Sequence, residues 1–226
     1  YAELLSKTTA YKPFLVSIIY SALAAVIVGL LVVIACRYIQ KRRGSLSATT
    51  LEYSLMIPWL LPSTMIALSL MLAFNQPRWY MFNKPLIATL QLLLIGYVII
   101  KLPFTMRMTK AAFFSLDNAL EDAAKNLGAS ELYTFRRVIF PVLLPTVMAI
   151  AALNFNGLLT DYDMSVFLHH PANPTLGVKI KSLTEEMGNS SDGVALTFVY
   201  AVLMMIISAI VLYLVYGRGG KDNIEE

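Results

Sequence analysis

Charge is scarce in this chain, and reactive sulfur is scarcer. Only 14% of the residues are charged and 58% are hydrophobic, whereas a soluble domain carries about a quarter charged residues. That excludes an ordinary water-soluble fold and leaves a membrane protein. The single cysteine, Cys36, lies inside an apolar run, so neither a disulfide framework nor a cysteine-based metal site is available. No GxxxxGK[ST] phosphate loop occurs, which removes that route to ATP binding and hydrolysis. Internal repeats and low-complexity segments are also missing. The net charge of +4 does not point to nucleic acid, because the basic residues gather at the ends of apolar spans and read as topology signals.

What is present is a series of long apolar runs. Spans are expected at about 14–36, 54–74, 86–104, 142–160 and 194–216, each near the ~20 residues needed to cross hydrocarbon. Arg37, Lys41, Arg42 and Arg43 follow the first span at once, which places that loop in the cytoplasm and the N-terminus of this chain outside. Pro58 and Pro62 interrupt the second span and predict a kinked helix lining protein or a cavity. Trp79, Tyr80 and Phe82 suit an outer interface, while Lys101 is expected to snorkel near the inner end of the third span. Counted by side, the inner loops hold twelve Lys and Arg and the outer ones six. The first span is too long and wrongly flanked for a signal peptide, and the chain opens at Tyr1 rather than Met, so a preceding segment is expected.

The stretch 115–145 is the one long polar interval that also reads as well-formed helix. Ser115 is expected to cap a helix over about 116–127, Asp117 to place negative charge in its first turn, and Gly128 to end it. Leu116, Leu120, Ala123, Ala124 and Leu127 recur at helical spacing, so one face is built to be buried. Ser130 with Glu131 opens a second helix that carries Arg136 and Arg137 into the next span. Pro141 and Pro145 fall where that span begins.

The run Asp122-Ala123-Ala124, three residues, Gly128, nine residues, Val138, one residue, Phe140-Pro141 resembles the EAA loop of bacterial ABC-importer permeases. Asp122, Val138 and Phe140 stand where the motif has Glu, Ile and Leu. The resemblance implies an all-α membrane protein of about five transmembrane helices with a cytoplasmic coupling-helix loop over about 115–140, the type I ABC importer permease fold. It implies one permease domain over 1–226, forming part of a longer or fused permease in the bacterial inner membrane, with its C-terminus inside. The implied partners are a cytoplasmic ATP-binding-cassette ATPase dimer, a second permease half and an extracytoplasmic solute-binding protein. No cofactor is expected on this chain and no catalysis, since ATP and Mg belong to the ATPase. Glu121, Asp122, Ala123, Ala124 and Gly128 are the residues expected to seat the coupling helix, with Arg136 and Arg137 as charge partners. The N-terminal Tyr1 to Leu5 stretch and the outer Leu176 to Ile180 segment look most like the C-terminal half of ferric iron permeases; polyamine, thiamine and inorganic-anion permeases are close.

Asn154, Asn156, Asp161, Tyr162 and Asp163 are candidates for the translocation path, because carboxylate and phenol oxygens suit hard cations. The alternative is that Asp161 and Asp163 simply end a helix in water. His169 and His170 lack ligand spacing and read as a solvated turn. Asn189-Ser190-Ser191 fits a glycosylation sequon that a bacterial chain leaves unused. An ion-driven secondary transporter is the competing class; against it, the first, third and fifth spans carry no acidic residue.

Overall fold

The structure is a computed structural model that describes residues 8–77, 85–186 and 191–219. Its regular elements are helices: α1 Thr8–Lys41, α2 Leu46–Met56, α3 Ser63–Ala73, α4 Leu90–Phe114, α5 Asn118–Asn126, α6 Glu131–Thr134, α7 Phe140–Leu159, α8 Ser165–Leu168, α9 Leu176–Glu186 and α10 Ser191–Gly219. Four stretches are long and apolar enough to cross a membrane, namely Tyr11–Lys41, Leu90–Phe114, Glu131–Leu159 and Val194–Gly217.

The second span differs from the single kinked helix expected over 54–74. Leu46–Leu60 and Ser63–Ala73 meet at an angle of 104°. Pro58 sits in a tight 3-10 turn over Ile57–Leu60, and Pro62 stands at the N-cap of α3 with extended backbone. Two prolines four residues apart remove successive backbone donors and push the residue before each away from helical geometry. The chain therefore breaks rather than bends.

α1 is the axis of the bundle, packing along α4 and α7, while α10 lies on α7 and α9. At the basic end of α1 the core consists of Val32, Cys36, Met106, Phe113, Ile139 and Leu143. The Cys36 Sγ is sealed there, 3.6 Å from the Met106 Sδ. At the other end, Ala24, Ala67, Leu93, Tyr97, Leu158 and Met164 form a second core. Gly96 lets α8 approach α4, since a Cβ there would meet the Leu168 and Met164 side chains at 2.7 Å. α10 keeps large apolar residues such as Phe198, Met205 and Tyr213 on its surface, which water would penalise and lipid accepts.

Two further expectations are corrected. α4 runs ten residues past the expected end at 104, which puts Lys101 in mid-helix. Pro141 does fall in the first turn of α7, whereas Pro145 lies inside it, and Glu131–Leu159 forms one continuous rod. A π-turn over Phe135–Ile139 precedes Pro141, and the Phe140 N–H reaches back to the Phe135 carbonyl. Widening the ladder by one residue makes room where a proline ring would otherwise crowd a carbonyl.

Candidate functional site

Two polar regions stand out, one at each end of the α1–α4–α7 bundle. The first is the elbow between α5 and α6. Ser115 does not cap α5: its N–H bonds the Ala111 carbonyl and its hydroxyl the Ala112 carbonyl, so it closes α4. Asp117 caps instead, accepting from the Ala119 N–H at 2.9 Å. Both are capping residue types two positions apart, and the longer reach of α4 decides between them. At the far end Gly128 adopts φ +79°, with its N–H on the Lys125 carbonyl and the Ala129 N–H on the Ala124 carbonyl. This paired closure is the Schellman arrangement that glycine permits without steric cost. Ser130 then caps α6, accepting from the Tyr133 N–H.

The elbow is wired to α1. The Arg37 guanidinium donates two hydrogen bonds to the Glu121 carboxylate, at 3.0 and 3.1 Å, in the fork geometry that makes such pairs strong. Arg37 also donates to the Gln40 Oε1 and lies over the Phe135 ring. Arg37 holds the Glu121 carboxyl below its ordinary value, chiefly through these hydrogen bonds. Lys41 pairs with Glu131, and Lys110 with Glu52. Arg136 and Arg137 are exposed and make no ion pair among the described residues, and within this chain the cation on Glu121 is Arg37. Asp122 points outward, 3.9 Å from the Lys125 Nζ.

The apolar face of α5 is also turned from what its periodicity leads one to expect. Ala124 is buried, but Ala123 is exposed, Leu120 is 41% exposed and Leu127 88%. Leu132 and Tyr133 of α6 continue this open face. The elbow therefore buries its Glu121 side against α1 and leaves most of its apolar side uncovered.

The second region is a polar seam between α4 and α7, which run antiparallel. Asn154 is fully buried and donates to the Thr105 hydroxyl at 2.8 Å, while its Oδ1 has no partner. One turn further along, the Lys101 ammonium lies over Gly157, 2.7 Å from where a Cβ would stand. Lys101 thus lies in the seam against α7, with its ammonium at the level of Gly157. Both polar atoms of Asn156 are buried without a partner. Beyond α7, the Asp161 carboxylate accepts from the Ser165 N–H and hydroxyl, and the Tyr97 hydroxyl is 2.6 Å from the same Ser165 oxygen.

Of the expected path residues, Asn154 and Asn156 thus lie in the seam and Asp161 stands at its end, fastening α8. Tyr162 is half-buried and Asp163 is exposed. Gly177 of α9 rests on this loop, where a Cβ would come within 2.6 Å of the Asp161 carbonyl. The Leu176 N–H donates to the buried Ser17 hydroxyl of α1. His169 Nδ1 lies 3.0 Å from the Ser165 carbonyl, and His170 Nδ1 accepts from the Ala172 N–H, so both histidines serve the turn. Among the described residues no three His, Cys, Asp or Glu side chains come close enough to hold a metal. The aromatic loop 79–82, Asn189, Ser190 and Tyr1 to Leu5 lie outside the described residues.

Arg37, Lys101 and Gly157 were missed as functional candidates. Arg37 and Lys101 are visible in the sequence only as topology charges, although a lysine eleven residues into an apolar span is itself a signal.

The fold is that of an ABC importer permease. The chain superposes with a TM-score of 0.81 and 12% identity on a solved "bacterial alginate ABC transporter in complex with alginate pentasaccharide-bound periplasmic protein", over 99% of this chain and 82% of that one. Residues 23–218 match the family described as "Binding-protein-dependent transport system inner membrane component", and the chain belongs to that family.

Among its relatives, "Probable ABC transporter permease protein y4fN" of Sinorhizobium fredii is 34% identical over 94% of this chain and 37% of its own length. PhnV of Salmonella typhimurium, a permease protein named for 2-aminoethylphosphonate transport, is 29% identical over 67% of this chain and 55% of its own. The ferric transport system permease protein FbpB of Actinobacillus pleuropneumoniae is 26% identical over 90% and 28%. The chain thus spans between about a third and a half of the length of these relatives.

Proposed function

We propose that this chain is a membrane-spanning part of an ABC importer, and that the α5–α6 elbow is the point at which a separate cytoplasmic ATPase drives it. The observation that carries this reading is an amphipathic elbow with one side fastened to α1 by Arg37 and Glu121 and the other, Leu120, Ala123, Leu127 and Leu132, left open. An uncovered apolar face at the water boundary needs a partner. Glu121, Ala124 and Gly128 hold the elbow together, while Asp122, Ala123, Arg136 and Arg137 face outward for the ATPase. ATP and Mg act on that partner, and this chain moves solute rather than performing catalysis. A solute-binding protein delivers cargo at the α8–α9 end, and a second permease half faces this one across the path.

Mechanistically, ATP shifts the assembly only if it binds one global state better than another. Closure of the ATPase displaces the elbow, and the guanidinium fork passes that displacement to α1, the axis on which α4 and α7 pack. Ferric iron, the cargo favoured by the resemblance of the Tyr1 to Leu5 and Leu176 to Ile180 stretches, has FbpB in its support; PhnV is named for a phosphonate.

The test is cross-linking with a photoreactive maleimide carried on a single thiol. With the native thiol of Cys36 buried, a Leu127→Cys variant carries one accessible thiol in the described region. It is expected to cross-link to the ATPase in a manner that changes with ATP. Failure to capture any ATP-binding protein from intact membranes sinks the reading.

A further inference from the structure

We infer that Lys101, seated over Gly157 beside Asn156, is an oxyanion-binding position on the transport path, so that the cargo carries an acidic group such as a carboxylate, phosphonate or sulfate. The inference rests on the permease reading above and assigns that permease a class of cargo.

Four observations carry it. Lys101 sits in the middle of α4, eleven residues from its start, where a cation is costly unless it is used. Its ammonium makes no ion pair and donates no hydrogen bond among the described residues; Asp161, the acid whose field it feels, already accepts twice from Ser165. Asn156, next in sequence to Gly157, buries an amide group that has no partner on either atom. Finally, Gly157 itself is exposed, so the place beside the ammonium is open from outside the chain.

The three ammonium hydrogens are idle donors, and donors left idle in a low-dielectric wall suit a ligand that brings acceptors and negative charge. The same ammonium repels a bare metal cation. Glycine at 157 lets the ammonium rest against the α7 backbone, since a Cβ would stand 2.7 Å from it and push the lysine's flexible end aside.

The test uses the complete transporter in proteoliposomes, with its ATPase and binding protein. Labelled sulfate, 2-aminoethylphosphonate, ferric ion and spermidine are offered for ATP-driven uptake, and the solute retained by the purified binding protein is identified by mass spectrometry. An anionic retained solute is expected. Lys101→Met is expected to cut its uptake about tenfold or more, the loss of one charge-assisted hydrogen bond, with Lys101→Arg staying within about threefold and cargo-free ATP hydrolysis within about twofold.

Gly157→Val, which keeps the charge but fills its seat, is expected to match Lys101→Met and serves if that variant fails to insert. A cationic or neutral retained solute, or anion uptake that survives both variants, overturns the assignment while leaving the permease reading intact. Loss of assembly with the second permease half, with uptake normal in whatever complex remains, would make Lys101 a structural partner of that half and also overturns it. Wild-type vesicles that bind no ATPase overturn the permease reading itself.

Discussion

The two ends of the bundle handle polar groups in opposite ways. At the basic end the charges meet in pairs: Arg37 with Glu121, Lys41 with Glu131, Lys110 with Glu52. Along the seam, Asn156, the Asn154 carbonyl and the Lys101 ammonium are buried or half-buried and idle. Satisfied ion pairs transmit force because they have one good geometry; buried donors and acceptors left unpaired carry a cost in stability. On the function proposed above, the contrast separates a part that is pushed from a part that is occupied.

The sharpest way to break that contrast is at Glu121. Glu121→Ala leaves the Arg37 guanidinium, itself only 11% exposed, without its carboxylate, and is expected to lower stability by about 2–3 kcal/mol. ATP-driven uptake should fall more than ATP hydrolysis does. A thermal melt in detergent together with both rates checks this, and equal losses in the two rates would deny the elbow its coupling role. Gly177→Ala should follow, because its Cβ meets backbone at Asp161 and cannot be relieved by rotating a side chain. A loss of about 1–3 kcal/mol and a weakened response to the binding protein are expected, measured by melting and by cargo-stimulated ATP hydrolysis.

Gly128→Ala should cost about 1–2 kcal/mol through its left-handed backbone and be read in the same melt. Asn156→Leu is expected to do the reverse of Glu121→Ala: removing two unpaired buried polar atoms should raise stability by about 1 kcal/mol while lowering uptake. If it destabilises the protein, the seam is a structural network after all.

Acid supplies the smallest and most specific effect. The folded Glu121 carboxyl titrates below its ordinary value of 4.5, so the stabilisation from its pair with Arg37 is complete above that pH. It is lost as the pH falls through the folded value. Arg37→Met should flatten that limb of the stability curve, which melts between pH 3 and 6 (roughly the window set by the carboxylate range) would show.

The elbow was legible because its signals are local: Asp, Ser and Gly at helix ends state where a turn begins and stops, and the spacing from Asp122 to Pro141 states which family uses it. The breaks at Pro58 and Pro62 were legible as kinks; the angle of 104° was not, since it depends on what α3 packs against. Illegible altogether was the partner of Glu121, which lies 84 residues away. Periodicity marked the apolar side of α5 but could not say that α1 would take the Glu121 side and leave Leu127 bare. Lys101 was misplaced for a related reason. Hydropathy ends a span where polar residues begin, but α4 continues through Arg107 and Lys110 to Phe114, so the depth of every residue on it shifts.

Gly177 lies against the Asp161 carbonyl with no side chain between them, and Asp161 in turn holds Ser165 and, through it, Tyr97. A visitor that tilts α9 therefore finds no play in the joint: the loop at the mouth of the seam must travel with it. On the permease reading proposed above, docking on α9 and the shape of the seam's end become a single mechanical event, felt on α4 through Ser165 and Tyr97.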